Sequence, residues 1–142
     1  MSAPLHDEAP PNSEVFVIAW LLPLAGAGGV GSKLWTAGMP KPYRAVRRVT
    51  GADDLISDYP VMRVHTFAAT YSLAATEADK THRRMLLLAE DPLSDVSIGS
   101  ATANCEWLKT DEGPREEPYG AESAVIRFVA EYCLGLHFAP VS

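Results

Sequence analysis

The residues of this chain best suited to chemistry lie close together, between positions 57 and 66. His65 is a candidate general base, Asp58 could orient its ring, and Ser57 or Thr66 could supply a hydroxyl nucleophile. Such a set catalyses a reaction only if the base and the nucleophile lie within hydrogen-bond distance. The spacing of these residues does not indicate that a base and a nucleophile come together. We therefore predict no catalytic residue and expect His65 to be a surface histidine on a strand.

Two adjacent acids and two cysteines are the candidates for metal binding. Asp53 and Asp54 could supply oxygen ligands to a divalent cation, but no calcium-loop spacing follows them, so we expect a solvated acidic turn. Cys105 and Cys133 are far apart, and the four histidines share no metal-ligand spacing. We therefore predict buried free thiols and no metal site.

The glycines Gly26, Gly28 and Gly31 have the spacing of a dinucleotide-binding fingerprint. That fingerprint requires a strand before the glycines and a helix after them. Here an apolar helix is predicted before them and a strand after them, so we expect no nucleotide site and no cofactor.

Composition indicates a single globular domain of 142 residues, 47% hydrophobic and 21% charged. A net charge of -6 argues against a protein that reads DNA sequence, although it allows a negative channel through which DNA slides. The apolar run from Val15 to Val30 is too short and too interrupted by proline and glycine to span a membrane. No basic leader precedes it, so we expect no secretory signal and a cytoplasmic product.

The elements that must position these residues begin after a loose arm, residues 1–12, and residues 13–142 are expected to form one domain. The first helix is predicted from Val15 to Leu22, capped by Asn12 or Ser13 and ended or kinked by Pro23. Strands are then predicted at Leu34 to Met39, Tyr43 to Thr50 and Val61 to Ala69, and a turn rich in aspartate separates the last two.

The second half of the chain has one helix and a long final strand. Ser72 to Glu90 has helical spacing, with Ala75, Ala78, His82, Met85 and Ala89 predicted on its inner side. A strand is predicted within Val96 to Lys109, a loop at Asp111 to Gly120, and an alternating strand from Ile126 to Phe138. The predicted fold is α+β, with a mainly antiparallel sheet covered by two helices.

This order of elements resembles the tail terminator proteins of long-tailed bacteriophages that infect actinobacteria. The similarity runs from Ser13 to Phe138. It includes the apolar helix, the glycine-rich connection, the basic strand, the Gly-Ala-Asp-Asp turn with its Asp-Tyr-Pro ending, and the strand ending Phe67-Ala68-Ala69. The resemblance implies a virion protein that forms a ring, typically of six copies, on the tail tube and meets the head–neck connector. The alternatives are a neck or head-closure protein, a small enzyme using His65 and Asp58, and a binding module.

Two oppositely charged segments are candidates for contacts between copies. Lys33 to Arg48 contains five cations and no acid, whereas Glu106 to Glu122 contains six acids against Lys109 and Arg115. Opposite charges can fix the register of a head-to-tail contact, and arginines can also touch passing DNA. The alternative is that these charges pair within one copy or stay solvated. The predicted interface or lumen residues are Lys33, Arg44, Arg47, Arg48, Asp53, Asp54, Asp58, Glu112, Glu116 and Glu117.

Overall fold

The computed structural model describes residues 3–26, 29–90, 95–98, 101–120 and 124–140. Within these ranges the chain forms two helices and eight strands. In chain order they are β1 (Glu8–Ala9), α1 (Ser13–Ala25), β2 (Val30–Gly31), β3 (Tyr43–Asp53), β4 (Ser57–Ala68), α2 (Tyr71–Glu90), β5 (Asp95–Ile98), β6 (Ala101–Glu116), β7 (Ile126–His137) and β8 (Ala139–Pro140).

The main sheet has the strand order β2-β3-β4-β7-β6-β5. Its pairings are antiparallel except for the short parallel pairing of β2 with β3. β1 and β8 form a separate two-stranded pairing, so Glu8 and Ala9 of the N-terminal arm lie against Pro140 and Ala139. The predicted α+β fold, with a mainly antiparallel sheet and two helices, is confirmed.

Both helices pack on one face of this sheet and form the main core with it. The buried residues include Phe16, Val17 and Leu21 of α1, Met85 and Leu88 of α2, and Val46, Met62, Val64, Tyr132, Leu134 and Leu136 of the strands. The predicted alternation of β7 is confirmed, because Ala130, Tyr132, Leu134 and Leu136 all point into this core. Neither helix is long and apolar enough to cross a membrane.

The start of α1 follows the sequence prediction, and its end does not. The side chain of Asn12 accepts a hydrogen bond from the Val15 amide and caps the first turn. The helix then continues past Pro23 to Ala25 and closes with the Gly26 amide bonded to the Leu22 carbonyl. Pro23 lies in the last turn and does not end the helix at Leu22.

The predicted strand at Leu34 to Met39 is wrong. These residues form a turn-containing connection that packs on the other face of the sheet, where Trp35 is buried against Tyr43 and Phe67. The Trp35 indole donates to the carbonyls of Met39 and Pro40, which holds the connection in this shape. The edge strand at this point is β2.

The hairpin of β3 and β4 is longer than predicted. Pro60 does not begin the second strand but lies within it, directly opposite Gly51, and the turn occupies only Asp54 to Ile56. A bulge between Arg48 and Thr50 bends the hairpin. The turn therefore stands at the end of two paired strands, further from the core than the sequence indicated.

Strand β6 extends into the predicted loop. Residues 111–116 continue the strand, with register shifts on either side of Glu112, so only the remainder of the Asp111 to Gly120 segment lacks strand structure. The bulges accommodate Gly113 and Pro114, two residue types that are typical of loops.

Candidate functional site

The predicted pairing of His65 with Asp58 does not form. Both residues lie on β4, seven positions apart, which corresponds to about 23 Å along a strand. Asp58 instead accepts two hydrogen bonds from the Arg48 guanidinium, at 2.5 and 2.8 Å. The Ser57 hydroxyl donates to the Glu106 carboxylate at 3.4 Å, and this carboxylate also contacts the exposed His137 ring. Thr66 faces the helices and contacts Thr81, so neither hydroxyl meets His65.

His65 is buried, which corrects the expectation of a surface histidine. Its Nδ1 atom has no hydrogen-bond partner among the residues described. Burial, followed by repulsion from Arg127 and Arg63, lowers the pKa of His65 from 6.5 to about 4. His65 is therefore neutral at pH 7 and packs as an aromatic ring stacked beside Phe67.

This burial predicts a loss of stability in acid. Because the pKa of His65 is lowered in the folded protein, the unfolded chain takes up the proton first as the pH falls. The free energy of unfolding is unaffected by the titration of His65 above pH 6.5. It falls by about 3 kcal/mol in total as the pH falls towards 4. Urea unfolding of the protein and of His65→Gln at neutral and acidic pH measures this loss. An equal loss in both proteins would contradict the prediction.

Arg44 is not a surface residue, and its assignment to a subunit interface or lumen is wrong. Its side chain is 1% exposed and lies between β3 and α2. The Nε atom donates to the Thr81 hydroxyl at 2.7 Å, and one terminal nitrogen donates to the Glu77 carboxylate at 3.0 Å. The same nitrogen also reaches the Glu77 carbonyl at 3.1 Å. This cation fixes the helix on the sheet.

Two of the predicted acids are also used inside the subunit. Asp58 is buried in its ion pair with Arg48, so neither is a free interface charge. Asp54 accepts hydrogen bonds from the Ser57 amide, the Tyr59 hydroxyl and the Ile56 amide, and these bonds lower the pKa of Asp54. It is the structural aspartate of the turn.

The acidic segment of the chain is partly neutralised by its own arginines. Glu112 pairs with Arg115, and Glu117 pairs with both Arg115 and Arg127. Glu112 and Glu117 therefore pair within one copy, which is the alternative to a contact between copies. Glu122 lies outside the described residues.

Four predicted residues remain exposed and take part in no ion pair that the structure describes. They are Lys33, Arg47, Asp53 and Glu116. Lys33 and Arg47 lie at the β2–β3 side of the sheet, where an Arg47 nitrogen approaches the Ser32 carbonyl at 3.4 Å. Glu116 ends β6, which lies three positions from β3 in the strand order. The predicted contact between oppositely charged surfaces therefore stays a prediction, now confined to these residues.

Two exposed apolar features were missed by sequence reasoning. Leu55 and Ile56, at the tip of the β3–β4 hairpin, are 65% and 63% exposed. Leu86 and Leu87 lie on the outer side of α2 and line a groove with Leu24 of α1. The sequence did contain a signal for the first feature, because two adjacent large apolar residues are unexpected in a turn that is otherwise polar.

Comparisons with known proteins show a similarity of fold to a virion component. No model of a protein family matches the chain, and no curated protein matches its sequence significantly. Among solved structures, a chain from the virion of a native gene transfer agent particle superposes with a TM-score of 0.50 at 12% sequence identity. The match covers 82% of this chain and 84% of that chain. At this identity the similarity establishes a shared fold.

Proposed function

We propose that this protein is a structural component of a bacteriophage virion, a tail terminator that forms a hexameric ring on the end of the tail tube. The observation that carries the proposal is the fold, which is shared over most of the chain with a component of a virion. The tail position is supported by the order of elements from Ser13 to Phe138, which resembles tail terminators.

The distribution of exposed charge supports assembly into a ring. Lys33 and Arg47 lie at one side of the sheet and Glu116 lies towards the other. In a cyclic ring every copy presents one side to the opposite side of the next copy. Complementary charge on the two sides steers this contact and fixes its register.

The proposed mechanism is a polymerisation stop. One face of the ring matches the last ring of tail tube protein, and the other face accepts no further tube subunit, so the tube stops growing. The free face then binds the head–neck connector protein. The protein acts by contact alone, without a catalytic centre or a cofactor, and is assembled in the host cytoplasm before it becomes part of the virion tail.

DNA passes through such a ring when the phage ejects its genome. A net charge of -6 keeps phosphates from adhering to the wall, because like charges repel. Arg44 and Arg48 are held in ion pairs within the subunit, which leaves Lys33, Lys41 and Arg47 as the exposed cations of the basic segment for a passing contact.

Deletion of the gene from the phage tests the assignment. We expect headless particles with tails longer than those of the intact phage, because nothing stops tube growth. Electron microscopy measures the tail length, and expression of the protein from a plasmid should restore it. Tails of normal length that fail to join heads would contradict the terminator assignment and favour a neck protein.

A further inference from the structure

The tip of the β3–β4 hairpin presents two apolar side chains, and the first of them has an unfavourable backbone conformation. Leu55 has a φ of 74°, the one positive value at a non-glycine position among the described residues. This conformation strains a leucine and suits glycine or asparagine. The Leu55 side chain is also 65% exposed, so packing within its own subunit does little to offset the strain. Retention of strain at an exposed apolar residue points to a contact outside the subunit.

The tip is rigid despite this exposure. Asp54 bonds to two turn amides and to the Tyr59 hydroxyl, and its own amide donates to the Ser57 carbonyl at 3.1 Å. The Ile56 carbonyl accepts a hydrogen bond from the Phe138 amide at 2.8 Å. Leu55 and Ile56 are therefore held in place before any partner arrives, which reduces the entropy lost on binding.

A groove between α1 and α2 has the complementary chemistry. Leu24, Leu86 and Leu87 supply its apolar surface, and its volume is about 470 Å³. Lys80, Arg83 and Arg84 line it together with one acid, Glu90, so three cations face one carboxylate. The hairpin tip carries the opposite charge, because Asp53 and Asp54 directly precede its two apolar residues.

The cations of the groove differ in how freely they can meet a partner. Arg84 stacks on the Trp20 ring at 3.8 Å and donates to the Trp20 carbonyl, so it is fixed. Arg83 is 75% exposed, and its one ion pair, with the exposed Asp79, has a long separation of 3.7 Å. Such a pair contributes little and is readily exchanged. Arg83 is therefore the cation best placed to bind an incoming carboxylate.

We propose that Leu55 and Ile56 of one copy insert into the Leu24–Leu86–Leu87 groove of a second copy, with Asp53 opposite Arg83. This contact rests on the proposed ring and specifies one of the surfaces that join its subunits. The N-terminal arm is the rival occupant, because Leu5 is 90% exposed and Asp7 and Glu8 follow it. The hairpin is favoured over the arm because two paired strands and Asp54 hold its tip in one conformation.

Substitution of Leu55 separates binding from folding. Leu55→Asn removes the apolar anchor and places at a positive φ a residue that tolerates it. We expect the dissociation constant for self-association to rise at least tenfold, measured by sedimentation velocity, and the melting temperature of the monomer to stay equal or increase. Leu5→Asn is the matched control and should leave the dissociation constant within about twofold, as expected for a surface change away from the contact.

A cross-linking experiment tests the pairing directly. Leu55→Cys protein mixed with Leu87→Cys protein should form disulfide-linked dimers under mild oxidation, above the level that either variant forms alone. Arg83→Glu should weaken self-association, and the combination of Arg83→Glu with Asp53→Lys should restore it.

The outcomes distinguish this contact from the ring itself. A ring that assembles equally well with Leu55→Asn, without the cross-link, overturns the hairpin contact and leaves the ring proposal standing. Weakening by Leu5→Asn alone would assign the groove to the arm and overturn the proposal. If Arg83→Glu weakens binding to tail tubes but not self-association, the groove belongs to the tube protein. A wild-type chain that is monomeric in solution and forms no ring on tail tubes contradicts both proposals.

Discussion

Replacement of Arg44 by alanine is expected to lower the free energy of unfolding by about 3–5 kcal/mol. Arg44 is among the largest fully buried side chains of the protein. Its removal leaves the Glu77 carboxylate, which is only 17% exposed, without its buried partner, and leaves the Thr81 hydroxyl without the Nε donor. The truncation also creates a cavity between β3 and α2, which adds to the loss.

Thermal unfolding measures this effect, and a fall in melting temperature of roughly 10 °C or more is expected for a domain of this size. Arg47→Ala is the matched control, since Arg47 lies three residues along the same strand and is exposed. That variant should stay within about 0.5 kcal/mol of the parent protein. Equal losses of stability in the two variants would show that the contacts of Arg44 with Glu77 and Thr81 do not stabilise the packing of α2 on the sheet.

Gly51→Ala is the second change with a large expected effect, a loss of about 3 kcal/mol or more from combined strain and steric overlap. Gly51 has a φ of 117°, and a Cβ atom built there would lie 2.3 Å from the Tyr59 carbonyl oxygen and 2.8 Å from the Pro60 Cα atom. Both neighbours are backbone atoms, so the paired strands must move apart to accept the methyl group.

Gly38→Ala separates the two causes. Gly38 also has a positive φ, 96°, but no atom lies within 4 Å of the position its Cβ would occupy. This variant should lose only the conformational part, about 1 kcal/mol. Chemical denaturation of both variants gives the comparison. Equal losses would show that the close approach of Tyr59 to Gly51 contributes nothing.

The sequence predicted elements whose signals are local. The alternation of β7 and the Asn12 cap of α1 are both encoded within a few residues, and both are found in the structure. The helix α2 was predicted with nearly correct bounds, and Ala78 and Met85 lie on its buried side as predicted, but the other three positions are displaced by one residue. Ala74, Thr81 and Leu88 face the core in place of Ala75, His82 and Ala89. An alanine-rich helix with three consecutive leucines gives little contrast between neighbouring faces.

The surroundings of the candidate site residues depend on contacts between distant parts of the chain, which the sequence does not reveal. The partners of Arg44 lie 33 and 37 residues further along the chain, so its burial could not be inferred from its basic neighbours. Pro60 indicated the start of a strand, and only the opposing Gly51 shows why a proline fits within the hairpin. The extension of this hairpin is what carries Leu55 and Ile56 away from the core.

The central claim is that this protein works by binding copies of itself and neighbouring virion components. The most direct measurement is the solution mass of the purified protein by native mass spectrometry, alone and mixed with tail tubes. We expect a discrete ring, with six copies by similarity to tail terminators, either free or bound at the tube tip. A protein that remains monomeric in solution and does not bind tubes would contradict the claim.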